Sequence, residues 1–81
     1  MIHRLKINKE YLQNLINGRK KSEIRLNDRD YQLGDVLEFV EGFTNKKGWG
    51  DTRLHKFAIT HIHSGLGLEP DYVVLSVERV E

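Results

Sequence analysis

The sequence predicts an α+β fold: a small, mostly antiparallel β-barrel of five to six strands, with one N-terminal helix after the first strand. Three observations predict it. Short segments of alternating apolar and polar residues recur along the chain, and one stretch near the start has helical spacing instead. The 81 residues are too few for two packed sheets of long strands, and closing one sheet on itself removes exposed edges. The helix is expected to plug one open end of the barrel.

His3-Arg4-Leu5-Lys6-Ile7 alternates, so Leu5 and Ile7 share one face of a short strand. Asn8 suits a helix N-cap, and Ile7 and Leu12 stand where a hydrophobic staple needs them. Tyr11, Leu12, Leu15 and Ile16 form one helical stripe, and Gly18 is placed to end the helix in a left-handed turn. Ser22 to Asn27 alternates again, with Ile24 and Leu26 pointing one way and Glu23, Arg25 and Asn27 the other. Asn27-Asp28-Arg29-Asp30 and Gly34-Asp35 read as turns, the second feeding the strand Val36-Leu37-Glu38-Phe39-Val40. Asn45 to Gly50 reads as a hairpin tip. Leu54 to His63 is a strand with Phe57, Ile59, His61 and His63 on one face. A glycine-bearing loop, His63 to Pro70, follows, and Tyr72 to Val80 closes the chain with Val73, Leu75 and Val77 on one side. The expected core comprises Leu5, Leu15, Ile24, Leu37, Phe39, Ile59 and Leu75.

One domain spanning 1–81 is expected, without repeats, low-complexity segments or linkers. The absence of cysteine excludes disulfides and thiolate–metal sites and fits a reducing cytoplasm. The opening residues Met1-Ile2-His3-Arg4 go straight into alternation without the apolar core of a signal peptide, and no apolar run approaches the roughly 20 residues of a membrane span. A soluble cytoplasmic protein is therefore the expectation. The net charge is +1, unevenly spread: residues 1–30 hold eight Lys/Arg against four Asp/Glu, and residues 31–81 five against eight. Such asymmetry points to a basic face for an anionic partner.

The densest charge lies in "GRKKSEIRLNDRD", Gly18 to Asp30. Lys20 stands just past the helix end, and Glu23 and Arg25 project from one strand face about 7 Å apart. Together they can form a cationic pocket with one carboxylate inside. Arg25 offers a planar fork to a phosphate, carboxylate or base edge, Lys20 a point charge, and Glu23 an acceptor for an amino group of cytosine or adenine. The competing reading is a surface ion-pair ladder worth under about 1 kcal/mol. His61-x-His63, with His55 and His3 elsewhere, supplies too few ligands for a metal site; neither metal nor cofactor is expected. Trp49, between glycines and beside Lys46-Lys47, is a candidate to stack on a base or to fold over the barrel mouth. Gly65-x-Gly67 is followed by no helix to receive a pyrophosphate and reads as a flexible turn. No serine–histidine–acid set is legible, and alternation turns Ser22 away from Glu23.

Gly18-x-Lys20-x-x-Glu23-x-Arg25 resembles the signature of the ASCH domain, a branch of the PUA-like barrels. Residues 3–39 and the ending "HIHSGLGLEPDYVVLSV" resemble short bacterial and phage PUA-like proteins of unknown function; residues 43–53 carry no recognisable pattern. The resemblance implies a barrel whose cleft beside the helix is lined by the motif, and an RNA- or nucleotide-binding module that reads a nucleic-acid or modified-base ligand. Gly18, Lys20, Glu23, Arg25, Asn27 and Arg29 are then the ligand-binding candidates. Arg4, Lys6, Arg19, Lys21 and Trp49 are possible nucleic-acid contacts. The alternative is a small hydrolase using the same cleft, on nucleosides as an amidohydrolase or on RNA as a ribonuclease, with Lys20 and Glu23 as catalytic candidates. Related amidohydrolases use a Lys-x-x-Thr pair; Glu23 occupies the threonine position here and lacks the hydroxyl nucleophile. A phage-type protein-interaction module is the third reading.

Overall fold

A computed structural model describes residues 1–40 and 54–80. The expected hairpin tip, with Trp49, lies outside the described residues. Along the chain run β1 (Ile2–Lys6), α1 (Lys9–Ile16), β2 (Ser22–Leu26), β3 (Val36–Val40), β4 (Leu54–Ser64) and β5 (Tyr72–Val80). The strands form one sheet in the order β1-β3-β4-β5-β2, so β1 and β2 are its two ends. Three of the junctions are antiparallel, but β1 pairs with β3 in parallel, from Ile2↔Val36 to Lys6↔Val40. The chain between β1 and β3, which contains α1 and β2, supplies the long crossover that a parallel pair requires. The result is a mixed five-stranded half-barrel with one short helix, in which the β1–β3 pair departs from the antiparallel pattern expected.

Local chemistry sets the helix ends. The Asn8 side-chain oxygen accepts the Glu10 N–H at 2.8 Å, which satisfies an orphan donor of the first turn. Gly18 takes φ +81, and Lys20 N–H then returns to the Asn14 carbonyl at 2.9 Å. Leu12 and Leu15 face the core, with Ile16 packed against it. Tyr11, expected on the same stripe, is 51% exposed. At about 100° per residue Tyr11 stands at the edge of the stripe, where its ring lies beside Lys20 instead of the core.

Leu5, Ile7, Leu37, Phe39, Phe57, Ile59, Val73 and Leu75 fill the concave side of the sheet, with Phe39 and Phe57 in tilted contact at 5.9 Å. Ile24 does not join them: it is 59% exposed, and Leu26 is exposed too, whereas Glu23 is buried. The predicted alternation of β2 is present with its faces exchanged. A second exchange occurs in β4. The register steps from Ile59↔Val77 to His61↔Ser76, leaving Thr60 as the extra residue of a bulge. A one-residue slip moves every later side chain to the other face. Ile62 therefore packs on the core, and His61 and His63 do not share the face of Phe57 and Ile59.

A carboxylate braced at the seam between the sheet ends

The charged motif lies where the end of β1, the C-terminal side of α1 and β2 meet. The Gly18 turn swings the chain off the helix, so Lys20 approaches Glu23 from one side and Arg25 from the other. Lys20 Nζ stands 3.2 Å from Glu23 Oε1, and an Arg25 terminal nitrogen 3.2 Å from Oε2. The Glu23 side chain is 7% exposed, while those of Lys20 and Arg25 are 28% and 22% exposed. Burying a carboxylate is tolerable only with such partners. Their presence explains why β2 turns Glu23 inward and leaves Ile24 outside. The surface ion-pair ladder is thereby excluded: the carboxylate is interior and its partners form the rim.

Arg25 also joins the two ends of the sheet. The terminal nitrogen that meets Glu23 donates to the Lys6 carbonyl at 2.9 Å, and the guanidinium lies over the Phe39 ring at 5.6 Å. Its Nε–H is buried without an acceptor among the described residues. An unmet buried donor costs about 1–3 kcal/mol. Lys20 lies 5.4 Å from the centre of the Tyr11 ring, so an exposed aromatic face borders the rim.

Tyr31 is buried nearby. The Asn27 side chain accepts the Tyr31 N–H at 3.1 Å, closing the Asn27–Asp30 loop and turning the ring inward. Burial raises the Tyr31 hydroxyl above its ordinary pKa, with Arg25 and Arg29 opposing the rise and Asp28 and Glu23 adding to it. The phenol therefore stays neutral and can donate a hydrogen bond. Its ring packs edge-on against His3 at 4.8 Å. His3 in turn meets Asp35 at 2.8 Å between Nε2 and Oδ2, and the Gln32 N–H donates to the same oxygen at 3.0 Å. The His3 contact is the main cause lowering Asp35 from 3.8 to about 2; burial opposes it, and the Gln32 N–H and the terminal ammonium add to the lowering.

The predicted site residues thus divide. Gly18, Lys20, Glu23 and Arg25 converge, and Asn27 contributes by ordering the loop that carries Tyr31. Arg29 is exposed on that loop, and Arg19 and Lys21 are exposed beside the seam. Arg4 sits instead on the convex face, where it and Lys56 hold Glu38 at 3.3 and 3.6 Å. Lys6 contributes its carbonyl. Tyr11 and Tyr31 were not expected at the site: Tyr11 read as part of the apolar helical stripe, and Tyr31 followed a polar turn with no periodic signal. Among the described residues, no group of three or more His, Asp or Glu is arranged to hold a metal ion. No described helix is long and apolar enough to cross a membrane.

Fold and seam together define a small α+β half-barrel domain with a cation-flanked carboxylate between its sheet ends. The chain belongs to the family described as a domain of unknown function, DUF3850, whose profile matches residues 2–77. A relative from Escherichia phage P2, described as an uncharacterized 12.9 kDa protein in the GpA 3′ region, is 40% identical over 50 residues. That match covers 57% of this chain and 46% of the relative, so it spans just under half of the relative's own length.

Proposed function

We propose that this domain is an RNA- or nucleotide-binding module of the ASCH/PUA-like type, and that the seam is its ligand site. The observation carrying this reading is the interior carboxylate of Glu23 held between two cations that both keep a solvent-facing surface. Lys20 and Arg25 suit a phosphate or a carbonyl edge. Each Glu23 oxygen retains acceptor capacity beyond its one cation, which suits an exocyclic amino group. The exposed Tyr11 ring offers a stacking surface, and a ligand acceptor reaching Arg25 Nε–H would relieve its unmet donor.

The test is a titration of short single-stranded RNAs and free nucleotides at low salt, followed by calorimetry or fluorescence anisotropy. Weak binding that Lys20→Ala or Arg25→Ala reduces by tenfold or more, about 1.4 kcal/mol, is the expected outcome. No binding at millimolar protein, or an affinity unaltered by either substitution, contradicts the reading.

A further inference from the structure

The polar groups of the seam stand in the order donor, acceptor, donor. Lys20 Nζ flanks one Glu23 oxygen and an Arg25 terminal nitrogen the other, each at 3.2 Å. The acceptor is the recessed member, since Glu23 is buried while Lys20 and Arg25 keep part of their surface in solvent. Both flanking groups hold donors in reserve. A lysine ammonium has three N–H groups, and Lys20 spends one on Glu23. Arg25 has its Nε–H buried with no acceptor among the described residues.

The complement of this relief is a projecting donor between two acceptors. Phosphate offers acceptors only, and an oxygen placed between the cations would meet the Glu23 carboxylate. Among the RNA bases the donor that projects is an exocyclic amino group, and only in adenine do ring-nitrogen acceptors, N1 and N7, stand on both sides of it. Cytosine has N3 on one side of its amino group and a C–H on the other. Guanine has N3 on one side and the N1–H donor on the other, which would face a cation. The imide edge of uracil has the right order with the wrong relief: its carbonyl oxygens project past the N–H and would meet the carboxylate.

We infer that the seam reads adenine, with the amino group on Glu23, N7 accepting from Lys20 and N1 from Arg25. The inference rests on the seam being the ligand site, as proposed above. Tyr11 sets the orientation. Its half-exposed ring lies 5.4 Å from Lys20 Nζ, so the five-membered ring of the purine, which carries N7, comes to that side and extends the stack over the tyrosine. Arg19 and Lys21, exposed beside the seam, are left for the phosphates of a bound strand.

Calorimetric titration of the full chain at low salt with the four nucleoside monophosphates and inosine monophosphate tests this. Adenosine monophosphate is expected to bind at least tenfold more tightly than the rest. Inosine monophosphate should be among the weakest, because a carbonyl oxygen there replaces the amino group that faces Glu23. Two purine analogues test the contacts singly without altering the protein. Carbon in place of N7, or in place of N1, should each weaken binding by roughly tenfold, the loss of one hydrogen bond to a charged group. Lys20→Ala should erase the penalty for replacing N7 and keep that for N1, and Arg25→Ala the reverse. Equal affinities for the monophosphates, a preference for another base, or full affinity of both analogues would overturn the adenine assignment and leave the seam standing as a ligand site. Absence of any nucleotide or RNA binding at millimolar protein would remove both.

Discussion

Glu23 and Asp35 are both interior carboxylates, and their partners make them differ in consequence. Glu23→Gln keeps the shape but leaves Lys20 and Arg25 without a counter-charge at the seam. It should lower stability by roughly 1–3 kcal/mol in urea unfolding, and should weaken or re-specify ligand binding. Asp35 sits lower in the folded state, at about 2, than its ordinary 3.8. Its contribution is therefore complete above about pH 4 and fades as pH falls through 3.8 toward 2, amounting to about 2 kcal/mol at neutral pH. Asp35→Asn should lose that amount at pH 7 and become nearly as stable as wild type near pH 2. Acid titrations of unfolding for the two proteins check it; equal separation at both pH values would refute the assignment.

Among the elements, β2 and α1 make opposite predictions that sequence pattern alone did not separate. Leu15 is buried against the sheet at 4% exposure, so Leu15→Ala should cost about 2–5 kcal/mol. Ile24→Ala should stay within about 1 kcal/mol, since it empties no cavity. Chemical denaturation of both variants distinguishes them. Period two in β2 and the strand limits of β3 were legible because alternation and turn residues are local signals. Which face of β2 is inside was not, because it follows from two cations brought to Glu23 by the helix turn on one side and the seam on the other. The face change in β4 was hidden for a related reason: the bulge at Thr60 is defined by the register against β5, not by any residue of β4. Parallel pairing of β1 with β3 was equally out of reach, since alternation carries no direction.

For the whole molecule, the basic first thirty residues do not form one continuous face. Lys20 and Arg25 flank Glu23 at the seam, whereas Arg4 is engaged with Glu38 on the convex side. An RNA held at the seam should therefore neutralise few phosphates. About two contacts give a slope near −1.4 in log K against log salt, at roughly 0.7 per phosphate on a single strand. A slope several times steeper would mean that a larger basic surface, not the seam, is the binding site. The motif itself was legible from spacing, because Lys20, Glu23 and Arg25 lie within six residues. Tyr31 was not: it reaches the seam only through the Asn27 side chain that closes the loop before it.

The most direct measurement is a ¹H–¹⁵N correlation titration of the labelled chain with a nucleotide set and a short single-stranded RNA. Backbone amides report location without requiring tight binding. The largest shift changes are expected at Lys20 to Arg25, with Tyr11 and Tyr31 following, and they should vanish in Arg25→Ala. Changes centred on the convex face around Glu38 and Lys56, or a spectrum unmoved at millimolar ligand, would contradict the assignment of the seam as the ligand site.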